Sequence, residues 1–334
     1  RNGVGKSLRI GRVGLTGAAA GSHRQHQRHR QPHRNPFFHF LFLLSLLFQN
    51  YNDIVTNPLS KSNQNCYTII KKIYYHAKKG AFLMITIQKY VRAQSLEEAW
   101  QLNQNKRNRI LGGMLWLRLG KGSVNTAIDL CDLGLNTIEE TEEAFSIGAM
   151  ATLRDIELHE GLNAYSGNAV RNAVKDIVGV QFRNMATVGG SIWGRFGFSD
   201  VLTVFLAMDA YVELYKGGIV PLEQFAKMKK DNDILVRLIV KKTPCKVIYT
   251  SMRNQSTDFP VIACAVSCMN GEYRASIGAR PARAILLRSE KIEDFPAFVA
   301  ENAPTEGNIR GSAAYRTHLI KVLVSRCMEV LRGM

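Results

Sequence analysis

The chain has 334 residues, of which 46% are hydrophobic and 21% are charged, a composition that excludes a wholly disordered protein and suffices for two ordinary domains. Its formal net charge of +17 is concentrated in residues 1–83, which hold 13 Lys/Arg and one acid, whereas residues 84–334 hold 31 Lys/Arg and 26 Asp/Glu. The body of the chain is therefore only mildly basic, which argues against binding to nucleic acid.

Residues 1–83 differ from the rest of the chain. They contain no Met and six of the eight histidines, and their apolar stretch Phe37–Phe48 is too short to span a bilayer as a helix. Gly3-Val-Gly-Lys-Ser7 resembles the end of a phosphate-binding loop, but no apolar strand or longer glycine loop precedes it. We hypothesise that residues 1–83 are non-native upstream sequence or a disordered segment, and that the natural protein starts at Met84. A membrane anchor or a targeting arm is the alternative.

The first part of the body, to about residue 140, contains a glycine corner after a short strand. Its predicted elements are a strand over 84–91, a helix over 95–102, a strand over 109–111, a helical pattern over 114–119 and a strand over 126–130. Ser95 and Glu98 can form a capping box at the first helix. Gly112-Gly113 ends the short strand, so backbone N–H groups at the start of the next helix could face an anion without obstruction by a Cβ atom.

A second glycine corner lies between about residues 141 and 242. The predicted elements there are a strand over 144–148, helices over 153–158, 168–178 and 201–208, and a strand over 211–215. Gly189-Gly190 lies in a polar turn, with the hydroxyl groups of Thr187 and Ser191 on either side. Two such corners could hold a pyrophosphate between them, although each alone is more often a plain turn. Neither fits the glycine fingerprint of dinucleotide-binding doubly wound sheets.

The last part of the chain follows a boundary near Lys241–Pro244. The predicted elements are a three-stranded antiparallel meander, over 246–250, 260–266 and 273–278, and an amphipathic helix over 315–331. Cys264 and Cys268 lie in the middle strand; their spacing permits a metal site, but no second pair completes one, so buried thiols are the simpler interpretation. The mixture of short strands and helices predicts an α+β fold.

Six motifs resemble the flavin subunits of the xanthine dehydrogenase and carbon monoxide dehydrogenase family of molybdenum hydroxylases. They are Ile110–Trp116 (first FAD loop), Arg183–Ile192 (second FAD loop), Ala149–Asp155, Phe198–Asp200, Asp258–Val266 and Gly278–Ala284. The resemblance implies two α+β subdomains that sandwich FAD, of the vanillyl-alcohol oxidase and p-cresol methylhydroxylase type. They would occupy residues 84–140 and 141–242, and a small α+β C-terminal flavoprotein domain would occupy residues 245–334.

The resemblance also implies which residues contact FAD. The expected contacts around the pyrophosphate are Ile110, Leu111, Gly112, Gly113, Met114, Leu115, Trp116, Thr187, Gly189, Gly190 and Ser191. Asp200 would accept a hydrogen bond from the ribityl or ribose region of FAD. The residue pattern equally favours a second, compatible role for Asp200, as a carboxylate that stabilises a helix N-terminus. Leu235 would make an apolar contact with the isoalloxazine ring. From the residues alone, aromatic side chains such as Trp116 and Trp193 are more typical of cores or interfaces than of flavin stacking.

Three departures from the family pattern qualify these contacts. Met114 stands where relatives often carry a longer polar residue, the turn Arg195–Phe198 lacks the usual proline, and Thr250 replaces a lysine of some relatives. His159 and His318 are the histidines of the body, and neither lies in a covalent-flavin motif, so FAD is expected to be non-covalent.

In function, the resemblance implies an oxidoreductase subunit that relays electrons. In the family, a molybdenum subunit oxidises the substrate, iron–sulfur clusters pass electrons to FAD, and reduced flavin hands a hydride to NAD+. The chain shows no ligands for molybdopterin, for a [2Fe-2S] cluster or for another metal, so a molybdopterin-binding large subunit and a [2Fe-2S] small subunit are the expected partners. No catalytic acid or base is required, and the expected location is the cytoplasm. The alternatives are a stand-alone FAD-dependent reductase or oxidase of the same fold, and a flavin-free scaffold subunit.

Overall fold

The computed structural model describes residues 85–291 and 293–333. The expectations for residues 1–83 and for a start at Met84 lie outside the described residues. Within these ranges, no helix is long and apolar enough to span a lipid bilayer.

The first sheet is parallel, with the spatial order β1-β3-β2. Its elements are β1 (Thr86–Arg92), α1 (Leu96–Asn103), β2 (Arg109–Leu111) and β3 (Ser123–Asp129). The Ser95 hydroxyl accepts the N–H of Glu98 at 3.1 Å, a cap that typically contributes about 1 kcal/mol. The predicted strands, helix and cap are confirmed. The capping box is incomplete, because the Glu98 carboxylate accepts the N–H of Gln94, at 2.8 Å, and not the N–H of Ser95.

The helix expected directly after Gly112-Gly113 is absent from this part of the described chain. Residues 112–116 are irregular, and only a 3-10 turn follows, over Leu117–Leu119. Met114 has a φ of 57°, in the left-handed region, which interrupts a right-handed helix. The prediction of a helix over 114–119 is therefore wrong.

The second sheet is antiparallel and has five strands in the order β4-β5-β8-β6-β7. Its strands are β4 (Ile138–Glu140), β5 (Ala144–Gly148), β6 (Ala210–Leu214), β7 (Gly218–Pro221) and β8 (Leu235–Lys241). Its helices are α2 (Leu153–Leu158), α3 (Glu160–Tyr165), α4 (Ala169–Val174), α5 (Val180–Arg183), α6 (Val188–Gly194), α7 (Asp200–Leu206) and α8 (Leu222–Lys227). Every residue of α7 is buried, so this helix lies inside the core. The helix predicted over 168–178 ends early, at Val174.

The third sheet is antiparallel, with the order β12-β11-β10-β9. Its elements are β9 (Cys245–Arg253), β10 (Pro260–Met269), β11 (Glu272–Gly278), β12 (Ile285–Ser289), α9 (Phe295–Asn302) and α10 (Ala313–Gly333). The predicted meander and final helix are confirmed, and a fourth strand joins the meander. Alternate residues of β10 belong to two hydrophobic cores. Ala263 and Ala265 belong to the core of the second sheet, whereas Ile262 and Cys264 pack with the last two helices. The α+β class is confirmed.

Candidate functional site

The two glycine corners lie in direct contact. A Cβ atom added to Gly112 would lie 2.7 Å from Oγ1 of Thr187 and 3.8 Å from Cα of Gly190. The tight approach is compatible with glycine because it lacks a side chain. The loop that follows β2 and the start of α6 therefore meet at one place in the fold.

Packing explains the glycine pair of the first corner, and its backbone offers free donors. A Cβ atom on Gly113 would lie 1.8 Å from the carbonyl oxygen of Met185, so only glycine fits there. The N–H groups of Gly113, Met114, Leu115 and Trp116 have no backbone carbonyl partner among the described residues. Successive unpaired amides around a left-handed residue can form a concave anion site. The first corner is such a turn, not the helix N-terminus that the pattern predicted.

The second corner is the first turn of α6, where the sequence predicted only a glycine turn. The Thr187 hydroxyl caps this helix by accepting the N–H of Gly190 at 3.1 Å. The N–H groups of Val188 and Gly189 donate to the carbonyl oxygens of Ala151 and Ala149, each at 2.8 Å. Because these amides are already engaged, the expectation of two symmetric amide-lined corners needs correction. The second corner contributes the Thr187 hydroxyl, whose proton is free to be donated, and an exposed backbone surface at Gly190.

Two cavities open from the junction of the corners. One, the apolar cavity, has a volume of about 340 Å³, and the other, the polar cavity, has about 550 Å³. Both are lined by the same five residues at the junction: Ile110, Gly112, Thr187, Gly190 and Trp193. The two cavities therefore adjoin at these five residues, and we term them together the groove.

All thirteen residues expected to contact FAD line this groove. The apolar cavity is lined by Gly113, Met114, Leu115, Trp116, Ser191 and Asp200. The polar cavity receives Leu111, Gly189 and Leu235, and the remaining four lie at the junction. Residues from the first sheet, the second sheet and α7 are thus brought together, whereas His159 lies apart: its Nδ1 accepts the N–H of Leu162 at 3.1 Å as a helix cap.

An aromatic wall, formed by Trp116, Phe196, Phe198 and Phe259, lines the apolar cavity. The Trp116 and Phe259 rings stack with centroids 5.7 Å apart, and the Phe198 and Phe259 centroids are 4.5 Å apart. Trp116 keeps 44% of its surface exposed, so it is a rim residue and not a core residue. The three phenylalanines were not among the expected site residues, although Phe196 and Phe198 lie in the turn noted as a departure and Phe259 lies in the motif Asp258–Val266.

Asp200 lies at the start of α7, as the helix pattern predicted, and its carboxylate is tied to the third sheet. Tyr249 donates its hydroxyl to one carboxylate oxygen, and Arg253 lies 2.9 Å from the other. Burial raises the pKa of Asp200, and the charge of Arg253 and the hydroxyl of Tyr249 oppose this rise. Burial, and then the charge of Asp200, raise the pKa of Tyr249 well above its ordinary value, so the phenol remains a donor. The sequence gave no signal for either partner.

The polar cavity carries several polar and charged side chains. Asn103, Lys106, Asn108, Lys230 and Asp233 line it together with the apolar side chains of Ile234 and Leu235. Amide, ammonium and carboxylate groups supply both donors and acceptors. The two ends of the groove therefore differ in chemistry, one aromatic and apolar, the other polar.

Comparison with known proteins gives consistent similarities. Residues 84–242 match the family model described as the FAD binding domain in molybdopterin dehydrogenase. The chain is 26% identical over 251 residues to the uncharacterised protein YgfM of Escherichia coli K12, covering 72% of this chain and 94% of that protein. It is 25% identical over 272 residues to the glyceraldehyde dehydrogenase medium chain of Sulfolobus acidocaldarius, covering 72% and 96%. A chain of carbon monoxide dehydrogenase from Oligotropha carboxidovorans has the same fold, with a TM-score of 0.65 at 20% identity, covering 73% of this chain and 96% of that one.

Proposed function

We propose that this chain, whose residues 84–242 match the FAD binding domain in molybdopterin dehydrogenase, is the FAD-binding electron-transfer subunit of a molybdenum hydroxylase. In the proposed complex, electrons arrive from iron–sulfur clusters on a partner and leave through FAD to NAD+. The similarity to a protein named as the medium chain of a dehydrogenase supports a role within an assembly.

The meeting of the two glycine corners at the junction of two cavities is the observation that carries the proposal. A dinucleotide has a charged diphosphate between two ring systems, and the groove has the matching order of parts. The free amides of Gly113 to Trp116 would face the diphosphate. A Cβ atom on Gly190 would meet only Oγ1 of Thr187 within 4 Å, at 3.0 Å, so glycine there leaves the groove open. The residues present therefore fit FAD.

The chemistry of the cavities supports one orientation of FAD. The isoalloxazine ring, whose dimethylbenzene edge is apolar, matches the aromatic wall. The adenosine part, with its ring nitrogens and ribose hydroxyls, matches the polar cavity. In this orientation Leu235 would contact the adenosine end, in contrast to the isoalloxazine contact that the resemblance implies. Asp200, with both oxygens already paired, would mainly fix the wall of the apolar cavity.

FAD, when bound, supplies the exchange between single-electron and hydride chemistry, and the protein supplies the environment. With FAD bound, Trp116, Phe196 and Phe259 would pack against its apolar edge and reduce the access of water to it. The ionisable residues that line the apolar cavity are Asp200, Arg253 and Asp258, and each is held in an ion pair. This arrangement suits orientation of a cofactor without a protein acid or base.

Purification of the full chain tests the proposal. We expect a yellow protein with flavin absorbance, about one FAD released per chain on heat denaturation, and bleaching by NADH without air. A colourless protein that binds no added FAD would contradict flavin binding and favour the scaffold alternative. A flavoprotein that is indifferent to NADH would reject only NAD+ as acceptor. Co-purification with a molybdopterin protein and a [2Fe-2S] protein tests the proposed partners, and substrate turnover by the isolated chain would favour the stand-alone alternative.

A further inference from the structure

Three cationic side chains, Arg195, Lys230 and Arg283, lie close enough for their charges to interact and form what we term the basic cluster. Lys230 lines the polar cavity. Its Nζ also lies 5.7 Å from the ring centroid of Phe196, which lines the apolar cavity. Lys230 is therefore within reach of both cavities, close to the point where they meet.

Arg195 is a buried cation. It ends α6 with a φ of 47° and keeps only 4% of its surface exposed. Its guanidinium lies 3.9 Å from the ring centroid of Phe225 and donates one hydrogen bond, to the carbonyl oxygen of Met228 at 3.3 Å. The Nε atom is buried and has no partner among the described residues. A buried cation normally needs hydrogen bonds or a counter-charge, because burial removes its hydration.

The basic cluster lacks matching acids. None of its three members forms an ion pair with a described carboxylate. Partial desolvation, followed by the charges of Arg195 and Arg283, lowers the pKa of Lys230, and Asp231 is the one acid whose charge acts on Arg195. Asp231 and Asp233 line the polar cavity beside Lys230, but neither forms an ion pair with the cluster, whose three cations can attract a multiply charged anion.

A structural role accounts for two members of the cluster but not for the third. Arg195 and Arg283 donate to the carbonyl oxygens of Met228 and Ala226, at the end of α8, where cations stabilise a helix C-terminus. Lys230 has no such bond and lies past the end of that helix. The second glycine corner, meanwhile, has its amides engaged, so the first corner alone would leave much of a diphosphate charge uncompensated.

We propose that Lys230 binds the diphosphate of the dinucleotide from the polar-cavity side, and that Arg195 and Arg283 hold the positive potential that draws it there. This inference rests on the proposed function, and it adds a side-chain cation to a site expected to work through main-chain groups. Lys230 is exposed and unpaired in the described structure, so its flexible chain can move to a phosphate oxygen at little cost.

Titration of the flavin-free full chain with FAD and with riboflavin, followed by flavin fluorescence, separates the phosphate contribution from the ring contribution. We expect Lys230→Gln to raise the Kd for FAD about tenfold or more, as loss of a charge-assisted bond does, and to leave the Kd for riboflavin unchanged. Lys230→Arg should restore most of the affinity. Lys229→Gln is the matched control, since Lys229 is also exposed but lines neither cavity. Added salt should weaken FAD binding more steeply in the wild type than in Lys230→Gln.

The outcomes are distinct. Equal FAD affinities for Lys230→Gln and Lys229→Gln, or parallel salt dependences for Lys230→Gln and the wild type, would overturn the Lys230 proposal while FAD binding itself stands. A parallel loss of riboflavin affinity in Lys230→Gln would also overturn it, because that loss would report a disturbed ring site. Failure of the wild-type chain to bind FAD would instead reject the proposed function.

Discussion

Arg253, on β9, lies 2.9 Å from the carboxylate of Asp200 at the start of α7, and both side chains are more than nine-tenths buried. The pair joins the third sheet to the core helix of the second, at the wall of the apolar cavity. Since Tyr249 completes the network, the shape of this wall depends on contacts between two separate parts of the fold.

Asp200→Ala should destabilise the protein by about 3–5 kcal/mol, because it leaves the Arg253 guanidinium in a buried site without its counter-charge. Urea unfolding of the two proteins measures the difference. Lys227→Ala is the control: it removes a pair of similar length, 2.8 Å, in which the lysine is 70% exposed, and such pairs contribute about 0–1 kcal/mol. Equal losses for the two variants would mean that burial does not set the strength of the Asp200 pair.

Gly190→Val should abolish FAD retention and leave the fold largely intact. The new side chain meets only the Thr187 hydroxyl on the protein side, so its bulk enters the groove. The ratio of flavin to protein absorbance measures retention, and thermal unfolding of the flavin-free proteins checks the fold. Gly179→Val is a suitable control, since this glycine has an extended backbone outside the groove and a Cβ atom there would meet its nearest neighbour at 3.6 Å. Full flavin content in Gly190→Val would show that the corner assignment is wrong.

The orientation of FAD can be read from paired truncations at the two ends of the groove. Trp116→Ala should weaken the binding of riboflavin and of FAD alike, by about tenfold, because stacking and apolar burial are lost at the ring. Leu235→Ala should weaken FAD binding and leave riboflavin binding unchanged. Leu238→Ala, a buried leucine on the same strand that lines neither cavity, corrects for general destabilisation. If Leu235→Ala weakens riboflavin and Trp116→Ala does not, the isoalloxazine ring occupies the polar cavity instead.

Glu97 provides a pH dependence of stability. Lys216 donates to its carboxylate at 2.8 Å, and Tyr215 and Gln101 also donate, which holds the pKa of Glu97 at about 2, below its ordinary value of 4.5. Because the folded state favours the ionised form, the stabilisation is present above pH 4.5 and is lost as the pH falls towards 2. Glu97→Gln should therefore flatten the fall in Tm across this interval. Parallel curves for the variant and the wild type would contradict the assignment.

Much of the local structure could be predicted from the sequence. The alternation over 144–148 and 260–266 predicted strands that the structure contains, and Ser95 predicted the cap of α1. These features depend on neighbours a few residues apart, which a pattern records directly. The helix over 114–119 failed because Met114 has a left-handed backbone, in a loop that packs through Gly113 against the distant residue Met185.

The sequence by itself determined the α+β class and the two glycine corners, because periodicity and glycine pairs are local properties, and the family resemblance supplied thirteen of the residues that line the groove. Only the tertiary structure decided which hydrogen bonds, exposures and ion pairs those residues have. Groups far apart in the chain decide whether an amide is hydrogen-bonded, whether a tryptophan lies at the rim or in the core, and which carboxylate pairs with which cation. Tyr249 and Asp200, for example, are separated by 49 residues. Hydrogen bonds and charges act over a few ångströms in space, so only the packed chain specifies their partners.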